Sequence, residues 1–300
     1  MVVYAVIVTF NPDAGAVQEL AQTLRESGAK IIVVDNTPGA GAENLPMDAA
    51  VLRLGFNAGI AHAQNVGISA ALAHGAEVIV FFDQDSRLEG GFLDRLLRPL
   101  FLGEPGVVAP VCVDRAHGFE VPSYRITRYG FVRKVFARTA DRCVDADLVI
   151  ASGTAATAAT FAVAGVMDED LFIDYVDFEW CLRCRSKGIP IRVVPGATIT
   201  HSIGERAVDL GLFSGVIHSS ARSYYKIRNG FLLLRKKHVP WFFAVRETTI
   251  AIVQYIAMLP FVKRRREYAA VFVRAISHGI RGVVGINPTS LRGASRAAGG

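Results

Sequence analysis

Asp83 and Asp85 stand one residue apart in the run Val78-Ile79-Val80-Phe81-Phe82-Asp83-Gln84-Asp85-Ser86, and by type they are the side chains best suited to chemistry. Two carboxylates in such a turn can offer hard oxygen ligands to one Mg2+ or Mn2+ carrying phosphates. Asp and Ser also suit an ordinary strand-end turn, so the pair alone does not choose between the two. A second acidic group runs through Asp168, Glu169, Asp170, Asp174, Asp177 and Glu179, interleaved with Leu171, Phe172, Ile173, Tyr175, Val176, Phe178 and Trp180. Carboxylates crowded among apolar residues lose hydration and repel one another, which raises one pKa and fits that group for general-base work. On helical spacing Asp174 and Asp177 share a face. Acids at a helix start also complement its dipole, which accounts for Asp168 to Asp170 better than for Asp174, Asp177 and Glu179.

Further candidates are single residues at the ends of apolar runs. Asp35 closes the run Lys30–Val34 and opens Asn36-Thr37-Pro38-Gly39; it could accept the imide N–H of uracil or thymine, or simply serve its turn. Asn57 reads as the N-cap of a small-residue helix from Gly59 to His74, along which a ligand could approach closely, and Asn65 as a ligand contact or a partner for nearby backbone. Ser152-Gly153-Thr154 is a small polar turn suited to sugar hydroxyls. His201 follows an apolar run and gains meaning only as a further metal ligand beside Asp85. Tyr224-Tyr225-Lys226-Ile227-Arg228-Asn229 joins aromatic rings to fixed positive charge, which suits a pyrophosphate.

These residues need a scaffold, and the hydrophobic pattern supplies one. Strands are expected at Val2–Phe10, Lys30–Val34, Ala50–Leu54, Val78–Phe82, Gly106–Val113, Asp147–Ile150 and Ile189–Val194, with helices at Ala14–Ser27, Gly59–His74 and Gly91–Leu102. This alternation predicts an α/β fold, a Rossmann-like, mostly parallel central sheet with helices on both faces and ligands at the carboxyl ends of its strands. Residues 114–146 mix aromatic and basic side chains and read as a flap beside the site; no nucleic-acid motif accompanies them.

The 300 residues carry a net charge of +6, with 51% hydrophobic and 20% charged residues. A basic balance suits anionic lipid or phosphorylated substrates. The mean hydropathy of +0.33 suggests that part of the apolar surplus meets a membrane. The start of the chain lacks a basic leader and a small-residue cleavage site, so it reads as a strand, and Cys112, Cys143, Cys181 and Cys184 are expected to be reduced thiols of a cytoplasmic protein. Residues 1–205 are expected to form the catalytic domain, 206–286 a C-terminal helical region that associates with membrane, and 287–300 a disordered tail. Arg246-Glu247 interrupts the apolar stretch Val239–Val262, leaving less than the roughly 20 residues of a spanning helix. Trp241, Val245, Ile252, Ile256 and Leu259 fall near one helical stripe beside Lys263-Arg264-Arg265-Arg266, which reads as an interfacial segment on an anionic membrane or as a buried hairpin or homo-oligomer contact.

Taken in order, the set Val6–Asn11, Asp35-Asn36, Asn57-x-Gly59, Asn65-x-Gly67, Asp83-Gln84-Asp85-Ser86, Ser152-Gly153-Thr154, the run Phe172 to Arg183, His201 and Tyr225-x-x-Arg228-Asn229 resembles the inverting family-2 glycosyltransferases of GT-A fold, most closely their bacterial rhamnosyltransferase branch. The resemblance implies that Thr9, Asn11, Asp35, Asn57, Asn65, Asp83, Gln84, Arg228 and Asn229 bind the nucleotide sugar. It implies that Asp85 with His201 ligates Mg2+ or Mn2+, and that Asp177 is the catalytic base. The family commonly places Glu before that base where this chain has Val176, so Asp174 remains a competing base. Ser152, Gly153, Thr154, Glu179 and Trp180 would meet the acceptor, and the donor would be dTDP-rhamnose. A lipid-linked glycan acceptor, used in cell-surface polysaccharide synthesis at the cytoplasmic face of the inner membrane, would account for the apolar, basic tail. Two rivals remain on the sequence: a haloacid-dehalogenase-like phosphatase using Asp83 and Asp85, and a non-catalytic membrane adaptor that keeps a nucleotide-sugar fold.

Overall fold

A computed structural model describes residues 1–287 apart from 44, 47, 116, 128, 202–206, 210–213, 217–219 and 263; for residues 201, 207–209, 214–216, 220, 221 and 261 it describes only the backbone. The expected disordered tail, beyond residue 287, thus lies outside the described residues.

The chain opens with β1 (Val3–Thr9), α1 (Ala14–Glu26), β2 (Lys30–Pro38), β3 (Ala50–Gly55), α2 (Ile60–Ala73) and β4 (Val78–Asp83). It continues through β5 (Arg87–Leu88), α3 (Phe92–Leu97), β6 (Val107–Asp114), β7 (Glu120–Val121), β8 (Ser123–Ile126), β9 (Val132–Val135) and β10 (Val144–Asp145). Then come β11 (Ala155–Thr157), α4 (Ala158–Ala164), α5 (Val176–Ser186), β12 (Ile191–His201), β13 (Ala207–Asp209) and β14 (Ser214–Val216). Three helices close the described chain: α6 (Ser220–Leu233), α7 (Trp241–Met258) and α8 (Arg265–Arg281).

The main sheet has the order β10-β12-β6-β11-β4-β1-β2-β3, with β5 beside β12 and β7 beside β6. The β4-β1-β2-β3 half is parallel, as is the β6–β12 pair, while β11 runs antiparallel between β4 and β6. Alternate residues of a strand point to opposite faces. On β1, Val3, Ala5 and Ile7 therefore join Val17, Leu20 and Leu24 of α1 and Leu93 and Leu96 of α3, whereas Tyr4, Val6 and Val8 join Ala63 and Ile68 of α2 and Trp180 of α5. A third apolar cluster ties α6, α7 and α8 together through Tyr224, Ile227, Ala251, Tyr255 and Ala275, and Phe172 from the segment before α5 inserts into it.

Four expectations are corrected. Asp147–Ile150 is not a strand of the sheet; its backbone turns aside to Tyr124 and the antiparallel strand falls instead at Ala155–Thr157. The stretch 114–146 is not one loose flap, since β7 to β10 lie within it. Asn57 does not cap α2: Gly59, with φ +87°, holds that place, and the Asn57 carboxamide oxygen accepts from its amide N–H instead. Asp174 is not on the helix with Asp177, because α5 begins only at Val176.

The small residues of α2 let it sit tightly on the sheet. A Cβ on Gly67 would lie 2.3 Å from Cγ1 of Val6. Alanine normally favours a helix over glycine by about 1 kcal/mol, but overpacking costs about 1–3 kcal/mol, so the clash decides the sign. Gly67→Ala should lower the urea unfolding midpoint without changing the slope; a raised midpoint would show that α2 does not approach β1 this closely.

Candidate active site

The neighbouring parallel strands β4, β1 and β2 end side by side, with Val8 opposite Asp83 and Thr9 opposite Asp35. At a strand spacing near 4.8 Å this sets Asp83 and Asp35 about 10 Å apart on one sheet edge. Sheet edges of this kind, at the carboxyl ends of parallel strands, are where open α/β folds bind ligands.

Asp35 is fully buried, and its Oδ1 accepts from the Thr9 hydroxyl (3.2 Å) and the Thr37 amide (3.1 Å), its Oδ2 from the Ala42 amide (2.5 Å). Burial alone would raise its pKa; the hydrogen bonds from Thr37, Ala42 and Thr9 outweigh it and hold the carboxyl below its usual range. Asn36, which sequence reasoning did not assign, links this strand end to the start of α2: its Oδ1 accepts from the Ala58 amide (2.7 Å) and its Nδ2 donates to Asn57 Oδ1 (3.1 Å). Asn11 adopts φ +46° and donates its amide to the Thr37 hydroxyl (2.8 Å). Gln84 binds the Phe10 backbone in both directions, at 2.7 and 3.3 Å, so the turn after β4 is tied to the loop after β1. The same turn is braced from behind by Ser152, whose Oγ lies 2.7 Å from that of Ser86.

Asp177, at the first turn of α5, is near enough to Asp83 to feel its charge. Its pKa is pushed up to about 6, first by burial and further by the negative charges of Asp174 and Asp83, while a hydrogen bond from the Phe178 amide (2.9 Å) acts the other way. Asp174 Oδ1 accepts from Nε of Arg222 (3.0 Å), a partner on α6 that sequence reasoning missed. Nothing in local spacing links residues 48 positions apart.

The segment before α5 is strained: Phe172, Asp174 and Tyr175 each have φ +64°. Non-glycine residues in this region cost about 1–3 kcal/mol each and persist only where surroundings enforce them. The enforcement comes from Arg228 and Asn229 on α6, both fully buried. Arg228 directs Nη2 to the carbonyl oxygens of Asp170 (3.2 Å) and Leu171 (2.9 Å), Nη1 to those of Val283 (3.4 Å) and Gly285 (2.6 Å), and Nε to Asn229 Oδ1 (2.8 Å). All five guanidinium N–H groups thereby find acceptors. Asn229 Nδ2 then reaches the carbonyls of Leu171 (2.9 Å), Ile173 (2.7 Å) and Asp174 (3.0 Å). The ring of Phe172 stacks on Tyr225 at 4.7 Å.

This geometry corrects several expectations. Arg228 and Asn229 are enclosed and satisfied by peptide carbonyls, so in this structure they hold the chain and present no donor to a pyrophosphate. Asn65 is spent on the backbone of Met167 (2.9 and 2.8 Å) and on Glu169 Oε1 (2.7 Å). Glu179 is buried against Arg183 and, at 2.6 Å, His238 of the α6–α7 connection; these partners outweigh its burial and lower its pKa. Trp180 is in the core and donates Nε1–H to the Gly165 carbonyl (2.9 Å). Ser152, Gly153 and Thr154 are buried too, Thr154 donating to the Ile150 carbonyl (2.5 Å), so none of the five residues expected at an acceptor offers it an open surface.

The two carboxylates of the β4 turn are a hard oxygen donor set of the kind Mg2+ or Mn2+ takes, which fits a cation at this edge. The side chain of His201, expected to complete it, lies outside the described residues, and among those described no cluster of three or more His, Cys, Asp or Glu forms a metal centre. Burial raises the thiol pKa values of Cys181 and Cys184, consistent with small core hydrophobes.

A mostly parallel sheet with acidic side chains at its strand ends is the arrangement a nucleotide-sugar transferase requires, and it is shared with other α/β enzymes. The family model described as Glycosyl transferase family 2 matches residues 4–172. The dTDP-rhamnosyl transferase RfbF of Shigella flexneri is 37% identical over 286 residues, covering 94% of this chain and 97% of that protein. Together these place the chain in glycosyltransferase family 2, and it is a glycosyltransferase. Solved structures share its fold at low identity: TarS 1-349 of S. aureus in complex with UDP-GlcNAc (13% identity, TM-score 0.54, 94% of this chain and 82% of that one). GalNAc-T7 with UDP, GalNAc and Mn2+ is similar at 14% identity and TM-score 0.54, over 71% of this chain, which spans 46% of that longer one. The phosphatase rival is not favoured, since three strands precede β4 and the family match covers them.

Two outcomes follow from the site. Asn229→Ala removes the side-chain donor from the Ile173 and Asp174 carbonyls and the acceptor of the buried Arg228 Nε, each worth about 1–3 kcal/mol when left unpaired, so it should lower stability and reduce kcat while leaving the donor KM nearly unchanged. A variant with wild-type kcat would separate the clamp from the site. Asp177 is ionised at neutral pH at a cost set by its raised pKa, so its stability contribution is greatest below the ordinary carboxylate range and is lost as pH rises through about 6. Asp177→Asn should therefore add up to about 3 kcal/mol to the unfolding free energy at pH 8, raising the melting temperature there, with little effect at pH 4. An unchanged melting temperature at pH 8 would show that the carboxylate is not held in a costly setting.

Proposed function

We propose that the chain is a metal-assisted, inverting rhamnosyltransferase that moves L-rhamnose from dTDP-β-L-rhamnose to a hydroxyl of a lipid-linked glycan in cell-surface polysaccharide synthesis. The observation that carries the catalytic part is Asp177, with a pKa near 6, within the electrostatic reach of Asp83 at the sheet edge. The donor rests on the near full-length similarity to a dTDP-rhamnosyl transferase.

Asp177 is the base: as the acceptor oxygen attacks the anomeric carbon from the face opposite the diphosphate, its proton passes to the Asp177 carboxylate. The new C–O bond forms as the bond to the diphosphate breaks, and the electron pair leaves with dTDP, inverting the configuration. Asp174 is the weaker candidate because its carboxylate is ion-paired with Arg222, whereas Asp177 accepts from the neutral Phe178 amide. Asp85, with His201, would hold Mg2+ or Mn2+, whose charge stabilises the departing diphosphate. Asp35, Thr9, Asn11 and Gln84 shape the nucleoside end. Among the described residues no helix is long and apolar enough to cross a membrane. The protein would work peripherally on the cytoplasmic face of the inner membrane, with α7 and the basic start of α8 towards the lipid.

Thermal shift against nucleotide sugars with and without Mn2+ tests this. dTDP-rhamnose with Mn2+ should raise the melting temperature and UDP sugars should not; the reverse would overturn the donor. Asp85→Ala should abolish the Mn2+-dependent part of the shift. Asp177→Asn should keep donor binding and lose transfer by about 10^3-fold or more, the scale of general-base catalysis, and near-normal turnover would remove Asp177 as base.

A further inference from the structure

Between Glu120 and Asp141 the sequence holds Arg125, Arg128, Arg133, Lys134 and Arg138 and no carboxylate. The structure folds much of this stretch into the β8–β9 hairpin, in which Arg125 sits directly opposite Arg133. Both arginines are exposed, and neither has an ion-pair partner among the described residues. Like charges directly opposite on a sheet repel, so an anionic surface laid across this pair would relieve the repulsion.

The same hairpin carries its aromatic residues outward. Phe131, 55% exposed, packs its ring 4.8 Å from that of Phe242, and Phe242 is 6.3 Å from Trp241, which is 67% exposed at the start of α7. Aromatic rings beside unpaired cations are the composition of a surface that sits at a bilayer's headgroup level. At its base the hairpin adjoins the site: Tyr124 meets Phe178, the residue after Asp177, edge to face at 6.3 Å.

We propose that the β8–β9 hairpin and the first turn of α7 form a docking surface for an anionic lipid bilayer, through Arg125, Arg133, Phe131, Trp241 and Phe242. It deepens the membrane-surface reading above and moves the contact from the Arg264 to Arg266 cluster to a patch beside Asp177. An acceptor borne on lipid would then be delivered next to the base.

Sedimentation of the full chain with phosphatidylcholine vesicles, with and without phosphatidylglycerol, at two salt concentrations tests this, with the donor-induced thermal shift as the check on folding. The chain should bind only the anionic vesicles, and more weakly at high salt. R125S/R133S should reduce partitioning by about tenfold or more at two lost surface charges, and F131S/W241S should reduce it too, with the thermal shift intact. If R264S/R265S/R266S abolishes binding while R125S/R133S binds like wild type, the hairpin surface is overturned and the membrane reading stands. If the wild-type chain ignores anionic vesicles, both fall. Binding to an RNA or DNA oligonucleotide in place of vesicles, or a dimer dissolved by F131S/W241S, also overturns the bilayer as occupant.

Discussion

Everything at the site depends on a buried guanidinium and carboxamide holding a strained peptide segment. Arg228 and Asn229 together take the carbonyl oxygens of residues 170, 171, 173 and 174, in a stretch where three non-glycine residues have left-handed backbone. A buried charge is costly unless its donors are met, and here four peptide carbonyls and the Asn229 carboxamide oxygen meet all five, with the rings of Tyr224 and Tyr225 lying 5.8 and 5.0 Å from its centre. Hydrogen bonds to a charged group contribute about 1.5–3 kcal/mol each, enough collectively to offset backbone strain of about 1–3 kcal/mol per residue.

The consequence runs outward in two directions. Towards the sheet, the held segment starts α5 at Val176 and keeps Asp177 within electrostatic reach of Asp83 at the end of β4. Towards the C-terminus, the same guanidinium binds the carbonyls of Val283 and Gly285, and the Gly285 amide donates to the Asp170 carbonyl at 2.8 Å. The chain beyond α8 thus returns to pin the segment that precedes Asp177, making the helices α6 to α8 part of what positions that residue. Arg222, two turns before Asn229 on α6, adds an ion pair to Asp174, so the same helix also holds a side chain of the strained segment.

Much of this was readable before any coordinates. The apolar runs and helical stripes of the first half mark the parallel sheet, and Asp35, Asp83 and Asp85 announce themselves as carboxylates closing such runs. What failed, failed for physical reasons. A fixed positive charge beside an amide suits phosphate oxygens and peptide carbonyls alike, so only burial separates a pyrophosphate ligand from a backbone clamp at Arg228 and Asn229. The i, i+4 spacing of Glu179 and Arg183 allows an ion pair, which the reading of Glu179 as an acceptor contact passed over, whereas His238 arrives from a distant connection that no local pattern discloses. Ala155–Thr157 is a strand because β4 and β6 leave a slot for it, against a composition richer in alanine than in β-branched residues. The left-handed start of α5 was hidden because its φ values fall on Phe, Asp and Tyr, where glycine or asparagine would have marked them.

The most direct measurement of the central claim is a carboxyl-carbon NMR titration of Asp177 in the wild-type chain and in Asn229→Ala. If the clamp holds the half-buried carboxylate within reach of the charges of Asp83 and Asp174, the wild-type group titrates near 6 and the variant falls towards an ordinary aspartate value of about 4. A wild-type value already near 4, or the same value in both proteins, would contradict the account.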